Sequence, residues 1–260
     1  MIDATVPTPF ELMTRSLPLP ALCGTLSELG FDLVQPLQVG WYNAVVEPHL
    51  RLDDFGAGTN LALVIGNTRH LWSKLLARLR SDSELARAEH PVEAYTEDSI
   101  LRALRMLAVA TSVRWSHERG AASVAFQRLA HVAGLAYLSP THLSVHSVYG
   151  SWIALRAVVS LPVSASELEK PELQHPCGDC TERCLPAFER AVAAHRGPLD
   201  QAAIRAHFPL WVAFRDACPT GRAERYTDAQ IRYHYLADRE QLLAASPVDS
   251  LALDSNEPRQ

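Results

Sequence analysis

The sequence predicts an α+β fold with mostly antiparallel strands, and three observations carry that prediction. A continuous apolar run at 61–67 ends in turn residues, which is typical of a buried strand. Alternating apolar residues at 153–159 predict a second strand. Apolar residues at helical spacing lie between and after these runs, without the crossovers of a parallel sheet.

The elements are predicted in the following order. Four prolines in the first 20 residues indicate a flexible leader, and a short helix then ends at Gly30 and is followed by extended chain to about residue 43. The strand 61–67 leads into a helix that Asn67 or Thr68 caps. The apolar face of that helix consists of Leu71, Trp72, Leu75, Leu76 and Leu79.

A second helix is predicted from about Thr96, followed by a short strand at 113–115. The inward side chains of that helix would be Ile100, Leu101, Leu104 and Leu107. A third helix is predicted at 121–138, and two strands joined by a turn near Gly150 follow it.

The C-terminal third begins with an irregular stretch at 164–184. A helix is predicted at 186–196, ended by Gly197 and Pro198. Thr227 and Gln230 have the spacing of a capping box and predict a further short helix. The last residues, 246–260, indicate a flexible tail.

Composition restricts the class of protein. The chain has 260 residues, with 24 Lys and Arg against 29 Asp and Glu, and a net charge of −5. This mild acidity argues against a nucleic-acid binder. No apolar stretch reaches the ~18–20 residues that span a bilayer, and the N-terminus lacks a basic and apolar signal. We therefore expect a soluble, cytoplasmic protein that binds neither nucleic acid nor a membrane.

The five cysteines do not suggest a disulfide scaffold, but three of them cluster with a histidine in HPCGDCTERC. The cluster consists of His175, Cys177, Cys180 and Cys184. These four side chains could supply the four ligands of a tetrahedral zinc ion. Most structural zinc sites combine two Cys-x2-Cys pairs, however, and no second pair is present. Cys177 and Cys180 could instead be redox thiols, since a CxxC motif depresses one thiol pKa. Three solvent-facing thiols without a function are the third interpretation, and we assign no metal ligand here.

The predicted third helix places His131, Gly134, Leu135 and Leu138 on one face. Gly134 would leave a shallow trough above the imidazole, where a flat ligand could lie. Close packing of helix on sheet around a hydrogen-bonded core histidine explains the same spacing, and spacing alone favours this simpler interpretation.

Arg156 is predicted in mid-strand, on the face opposite to Ile153, Leu155, Ala157 and Val159. A buried unpaired charge is costly, so an anionic partner is expected. The residues leave open whether that partner is an internal acid or a bound carboxylate or phosphate. Further arginines interleave with aromatic residues at 214–239, which indicates either an anion site or a solvated surface with local Asp–Arg pairs. No phosphate loop, HExxH or GxSxG motif is present.

Five segments, in this order, carry a family resemblance. They are GFDLVQPLQVGWYN (30–43), LAHVAGLAYL (129–138), HSVYGSWIALRAVVSLP (146–162), FRDA (214–217) and ERYTDAQ (224–230). Together they resemble the CblC (MMACHC) family of cyanocobalamin reductases and alkylcobalamin dealkylases, over roughly 22–245. The resemblance implies a nitroreductase-like central antiparallel sheet with flanking helices and a cap. It implies one cobalamin-processing domain at 21–245, between the leader 1–20 and the tail 246–260.

The resemblance also implies an activity. Members of the family bind cobalamin with its lower base detached and remove the upper ligand. Cyanide leaves reductively with electrons from reduced FMN or FAD, and alkyl groups leave to the glutathione thiolate. Alternatives are a non-catalytic cobalamin-trafficking chaperone and a flavin-dependent reductase of the same fold. Partners under this resemblance are cobalamin, glutathione, a flavin reductase, a cobalamin-accepting protein and a second copy of the chain.

Site residues are carried over by position. The cobalamin side would be formed by His131, Gly134, Tyr137, His142 and His146. His142 stands where family members have a glycine, which would alter a backbone contact to the corrin or add an imidazole near cobalt. Glutathione would be bound by Arg156, Arg215 and Arg239.

Overall fold

The computed structural model describes residues 17–178, 181–195 and 200–244. Its strands are β1 (Leu33–Gln38), β2 (Asn60–Asn67), β3 (Ser112–Trp115), β4 (Tyr137–Leu138), β5 (Ser144–Val145) and β6 (Ala154–Ser164). Its helices before β4 are α1 (Leu19–Glu28), α2 (Val39–Asn43), α3 (Leu71–Ser81), α4 (Ser83–Arg87), α5 (Pro91–Leu104) and α6 (Phe126–Val132). The later helices are α7 (Thr181–Ala193), α8 (Gln201–Ala206), α9 (Phe208–Asp216), α10 (Asp228–Leu236) and α11 (Arg239–Ala244).

A four-stranded antiparallel sheet in the order β1-β2-β6-β3 forms the centre of the fold. All eight residues of β2 are buried, because both faces of the sheet are covered. Leu61, Leu63 and Ile65 pack with α1, α3 and α5 on one face, whereas Ala62 and Val64 pack with α2 and α6 on the other. A separate two-stranded sheet pairs β4 with β5. The predicted α+β class and antiparallel sheet are confirmed.

A β-bulge interrupts β6. The pairing of β2 with β6 shifts register between Leu155 and Ala157, which leaves Arg156 as the extra residue. The predicted alternation over this strand is therefore wrong. Ile153 and Leu155 pack in one core cluster, while Ala157 and Val159 lie in the cluster on the other face.

The N-terminal part contains two departures from the prediction. The leader was predicted to extend to residue 20, but Leu17 and Leu19 are buried and α1 begins at Leu19. Gly30, with φ +92°, follows α1 as predicted. The chain at Val39–Asn43 is helical instead of extended.

The apolar face predicted for α3 is confirmed, since all five of its side chains are buried. The predicted cap is wrong. His70 occupies the N-cap without a side-chain bond to the helix, while Thr68 bonds to Asp32 and Asn67 bonds to Arg156. Three of the four side chains predicted to face inward from the next helix are buried, namely Ile100, Leu104 and Leu107. The prediction is wrong for Leu101, which is 45% exposed, and for the helix start, since α5 begins at Pro91.

The third predicted helix is shorter than expected. α6 ends at Val132, Gly134 adopts φ +75°, and the chain continues into β4. A left-handed glycine directly after a helix is a common helix stop. The strand predicted before Gly150 shrinks to β5, which pairs with β4, plus a single bridge from His146 to Gly150.

The two C-terminal helix predictions have different outcomes. α7 begins at Thr181, before the predicted residue 186, and contains Pro186; its predicted stop residues, Gly197 and Pro198, and the predicted tail lie outside the described residues. The helix start predicted at Thr227 is confirmed at α10, where the side chain of Thr227 accepts a hydrogen bond from the Gln230 backbone N–H. The second bond of a capping box is missing, because the side-chain amide of Gln230 is buried without a hydrogen-bond partner in the described ranges. In the described ranges, no helix is long and apolar enough to cross a membrane.

Candidate functional site

Three of the residues predicted for the cobalamin side line one cavity of about 190 Å³. Gly134 and Tyr137 reach it from the end of α6 and from β4, and His146 reaches it from the chain after β5. The segment 172–174 forms the opposite wall. We call this space the Tyr137 cavity.

His131 lies beside this cavity and is held by the backbone. Its Nδ1 accepts a hydrogen bond of 3.1 Å from the Leu138 backbone N–H, so the proton of the neutral ring lies on Nε2. Its ring centroid is 5.6 Å from that of Tyr137. Burial, followed by the charges of Arg128 and Lys170, lowers the pKa of His131 below its ordinary value. The imidazole is therefore neutral near pH 7 and can donate from Nε2.

The trough predicted above His131 is wrong in its geometry. Gly134 lies beyond the helix, and a Cβ placed on it would be 2.4 Å from Cγ of Pro171. The ring of His175 packs edge-on against Tyr137 with 4.1 Å between centroids. The segment 171–175, which the sequence left as irregular chain, thus covers the surface that was expected to be open.

His146 has the same protonation pattern as His131. Its Nδ1 accepts hydrogen bonds from the backbone N–H groups of Val148 and Tyr149, at 3.0 and 3.3 Å. Burial lowers its pKa, against a smaller opposing effect of Asp32. The ring is therefore neutral near pH 7, with its proton on Nε2.

His142 is not among the residues that line the Tyr137 cavity. It is exposed, with φ +62°, and its carbonyl accepts a hydrogen bond of 3.0 Å from Nε2 of Gln127. A left-handed backbone is adopted most easily by glycine, and histidine is among the residues that tolerate it. This explains how His142 can occupy a position where the CblC pattern has glycine.

Arg156 is held by a neutral partner. Its Nε donates a hydrogen bond of 2.6 Å to Oδ1 of Asn67, and its Nη2 is sealed from solvent without a hydrogen-bond partner among the described residues. Burial lowers its pKa, and Tyr226 and Glu93 oppose that shift only through longer-range interactions. In the described ranges, no carboxylate forms an ion pair with Arg156. The interpretation that requires an internal acid is therefore not supported.

Arg215 lines a second cavity, of about 330 Å³, which we call the Arg215 cavity. Its guanidinium lies 4.3 Å from the ring centroid of Trp152, and its Nη2 donates to the carbonyl of Ser151. The hydroxyls of Ser144 and Ser151 also border this cavity, and both are buried without a hydrogen-bond partner in the described chain. The cavity thus combines one cation with two available hydroxyl groups.

Two residues that the site prediction omitted interact electrostatically with both arginines. Arg156 and Arg215 both act on the pKa values of Tyr226 and His234. The Tyr226 hydroxyl and Nε2 of His234 are buried without a partner in the described ranges, and their ring centroids are 5.7 Å apart. Burial, then the two arginines, lowers the pKa of His234 to about 3, so its imidazole stays neutral. In sequence the only signal is that both residues fall within the arginine-rich stretch.

Arg239 shares a different tyrosine with Arg156. Its Nη2 donates to the carbonyl of Ala86, and Arg156 and Arg239 both act on Tyr233. Arg239 is not among the residues that line the Arg215 cavity. Arg156 does not line that cavity either. Arg156 and Arg215 both act on Tyr226, and Arg156 and Arg239 both act on Tyr233.

The cysteine cluster is rearranged relative to the sequence prediction. Cys177 and Cys184 line a small apolar cavity together with Cys218, which the sequence did not connect to them. Cys180 lies outside the described residues. Nδ1 of His175 accepts a hydrogen bond of 2.9 Å from the Gly178 N–H. In the part of the chain that the structure describes, no group of three or more His, Cys, Asp or Glu residues could hold a metal ion.

A model of the methylmalonic aciduria and homocystinuria type C family matches residues 30–183, which is more than half of the chain. The chain belongs to this family. The family also carries the abbreviation MMACHC, so the resemblance stated from five sequence segments is confirmed.

Relatives with known names agree with this membership. The chain is 27% identical over 231 residues to a human protein named cyanocobalamin reductase / alkylcobalamin dealkylase, an alignment that covers 80% of this chain and 74% of the human one. A Bos taurus protein of the same name is 29% identical over 157 residues, 53% of this chain and 54% of that one.

A solved structure matches the fold. The Caenorhabditis elegans B12-trafficking protein CblC, described as a human MMACHC homologue, superposes with a TM-score of 0.62 at 20% identity, covering 90% of this chain and 96% of that chain. At that identity the match concerns the fold alone, and it confirms the predicted architecture. Membership in the family implies a role in B12 processing.

Proposed function

We propose that this protein binds cobalamin with its lower base detached and removes the upper axial ligand. Cyanide leaves by reduction with electrons from reduced FMN or FAD, and alkyl groups leave to the thiolate of glutathione. The observation that carries this proposal is that two neutral histidines lie at or beside the Tyr137 cavity, while Arg156 and Arg215 form no ion pair with a carboxylate of the described residues.

The corrin would lie against His131, Tyr137 and His146. Each of the two imidazoles has its Nδ1 occupied by backbone N–H groups, so each offers an Nε2–H donor at a fixed orientation. Such donors suit the amide carbonyls at the corrin edge. A ring that stays neutral also adds no positive charge next to the metal centre.

The segment 171–175 would move when the corrin binds. The Tyr137 cavity measures about 190 Å³, below the roughly 300–1,000 Å³ typical of drug-sized ligands, and a corrin is larger than those. Pro171 occupies the space over Gly134, and His175 covers Tyr137. Since this segment is a connection between β6 and α7, it can be displaced without breaking the central sheet.

Glutathione would bind through its two carboxylates to Arg156 and Arg215, with Arg239 as a third cation. Guanidinium–carboxylate pairs are among the strongest hydrogen-bonded contacts in proteins. Arg156 and Arg215 each have a buried N–H without a hydrogen-bond partner in the part of the chain that the structure describes. The positive potential of the two arginines would also lower the pKa of the glutathione thiol. That raises the fraction of thiolate, the nucleophile to which the alkyl group is transferred.

Turnover of defined cobalamins tests the proposal. Pure protein is mixed with methylcobalamin and glutathione under anaerobic conditions, and separately with cyanocobalamin and reduced FMN. We expect loss of the upper ligand in both reactions, together with S-methylglutathione in the first. Base-off binding without turnover in either reaction would identify a carrier and contradict the catalytic part of the proposal.

A further inference from the structure

A small apolar cavity holds three cysteines that come from two distant parts of the sequence. Cys177 and Cys184 lie before and within the first turn of α7, and Cys218 follows α9. The remaining walls are built mainly from proline and aliphatic side chains. We call this space the cysteine cavity.

The cysteine cavity lies between the two cavities already described. It shares Val145 with the Tyr137 cavity and Leu143 with the Arg215 cavity. Cys218 is also hydrogen-bonded to the end of α9, the helix that carries Arg215. Its backbone N–H donates a 3.2 Å hydrogen bond to the carbonyl of Arg215. A covalent change at Cys218 would therefore be made at the junction of the two candidate binding sites.

Cys184 and Cys218 lie on or just after elements that pack against each other. Helices α7 and α9 pack against each other, and Cys184 is partly buried in the same apolar cluster as Ala217, the residue before Cys218. Cys177 also lines this cavity. Cysteines that line one small space from adjacent elements are candidates for a disulfide, which requires their Cα atoms to come within about 7 Å of each other.

We propose that Cys218 forms a reversible disulfide with Cys184 or Cys177. The oxidant would be a low-molecular-weight disulfide such as glutathione disulfide. A protein thiolate attacks one of its sulfurs, which forms a mixed disulfide and releases one glutathione thiolate. The second cysteine, after losing its proton to solvent, attacks the protein sulfur of the mixed disulfide and releases the other. Two protein thiols are oxidised, one glutathione disulfide is reduced to two thiols, and excess glutathione reverses the reaction.

This disulfide would tie the start of α7 to the end of α9. It would fix the segment that closes on Tyr137 relative to the helix that carries Arg215. The inference rests on the shared cavity and on helix packing, and it stands whether or not the protein acts on cobalamin.

Trypsin digestion separates the cysteines, which allows a direct test. Cleavage after Arg and Lys, except before proline, places Cys218 in peptide 216–222 and Cys184 in peptide 184–190. Cys177 and Cys180 remain together in peptide 157–183, because Lys170 is followed by Pro171. The full-length protein is incubated with glutathione disulfide, alkylated with iodoacetamide and digested without reduction. We expect peptide 216–222 to be linked to peptide 184–190 or 157–183, and the link to disappear after treatment with glutathione.

Matched serine variants locate the bond. Cys23→Ser and Cys180→Ser should keep the cross-link, and Cys218→Ser should abolish it while circular dichroism stays unchanged. The proposal is overturned if Cys218 remains fully alkylated, if it carries only glutathione, or if Cys180→Ser removes the link. Stoichiometric zinc in the reduced protein, with Cys218 protected from alkylation, would also overturn it.

Discussion

Replacing Arg215 by alanine should impair the use of glutathione much more than the binding of cobalamin. Arg215 borders a cavity that is distinct from the Tyr137 cavity, which the proposed corrin contacts Tyr137 and His146 line. The variant removes a cation whose Nε–H is buried without a hydrogen-bond partner among the residues at 17–178, 181–195 and 200–244. The proposed ligand carboxylate would therefore lose a charge-assisted bond, and the corrin would lose no direct contact.

The magnitude follows from that lost bond. A hydrogen bond to a charged group contributes about 1.5–3 kcal/mol, and ~1.4 kcal/mol corresponds to tenfold in an equilibrium constant. We expect the KM for glutathione to rise about 10- to 100-fold in dealkylation of methylcobalamin. The KM of Arg215→Lys for glutathione should lie between those of the unsubstituted protein and Arg215→Ala. Lysine keeps the charge but cannot reproduce the planar guanidinium over Trp152.

The assay follows dealkylation by absorbance at several glutathione concentrations, with cobalamin affinity measured separately. Arg222→Ala is the matched control, since Arg222 lies on the same part of the chain but is exposed. An unchanged KM in Arg215→Ala, or an equal loss of cobalamin affinity, would refute the assignment. Thermal unfolding of both variants excludes a general loss of structure, because Arg215 also satisfies the carbonyl of Ser151.

Three further predictions concern stability. Gly134→Ala should lower the free energy of unfolding by about 1–3 kcal/mol, because φ is +75° and the new methyl would meet Pro171, and an unchanged urea midpoint would contradict this. Thr227→Ala should cost about 1 kcal/mol, since the capping bond of α10 is lost, and a change below a few tenths would contradict it. The hydrogen bond to Asp32 raises the pKa of His70 above its ordinary value of 6.5. The stabilisation of the folded state by this pair is therefore fully present below pH 6.5 and is lost as pH rises through the folded-state pKa. His70→Gln should therefore destabilise more at about pH 5.5 than at about pH 9 in urea titrations, and a pH-independent difference would be inconsistent with that pair.

Local patterns predicted the elements whose structure depends on near neighbours. The run at 61–67 became β2 because both faces of the sheet are covered, and five apolar residues at helical spacing formed the buried face of α3. The capping bond of Thr227 depends only on a residue three positions away. Membership in the family was also visible, because five segments kept their order.

Contacts between distant residues account for the failures. The length of α6 was overestimated because the left-handed backbone of Gly134, packed against Pro171, is not encoded by apolar spacing. The bulge at Arg156 depends on the pairing with β2. Cys218 joined the cysteine cavity only through the packing of α7 on α9, which no local pattern indicates.

The central claim is that this protein binds cobalamin and detaches its lower base. Adding a stoichiometric excess of pure protein to cyanocobalamin and recording the visible spectrum tests that claim most directly. We predict a shift of the absorption bands to the base-off form, saturating at one cobalamin per chain. An unchanged spectrum at excess protein would contradict the proposed function.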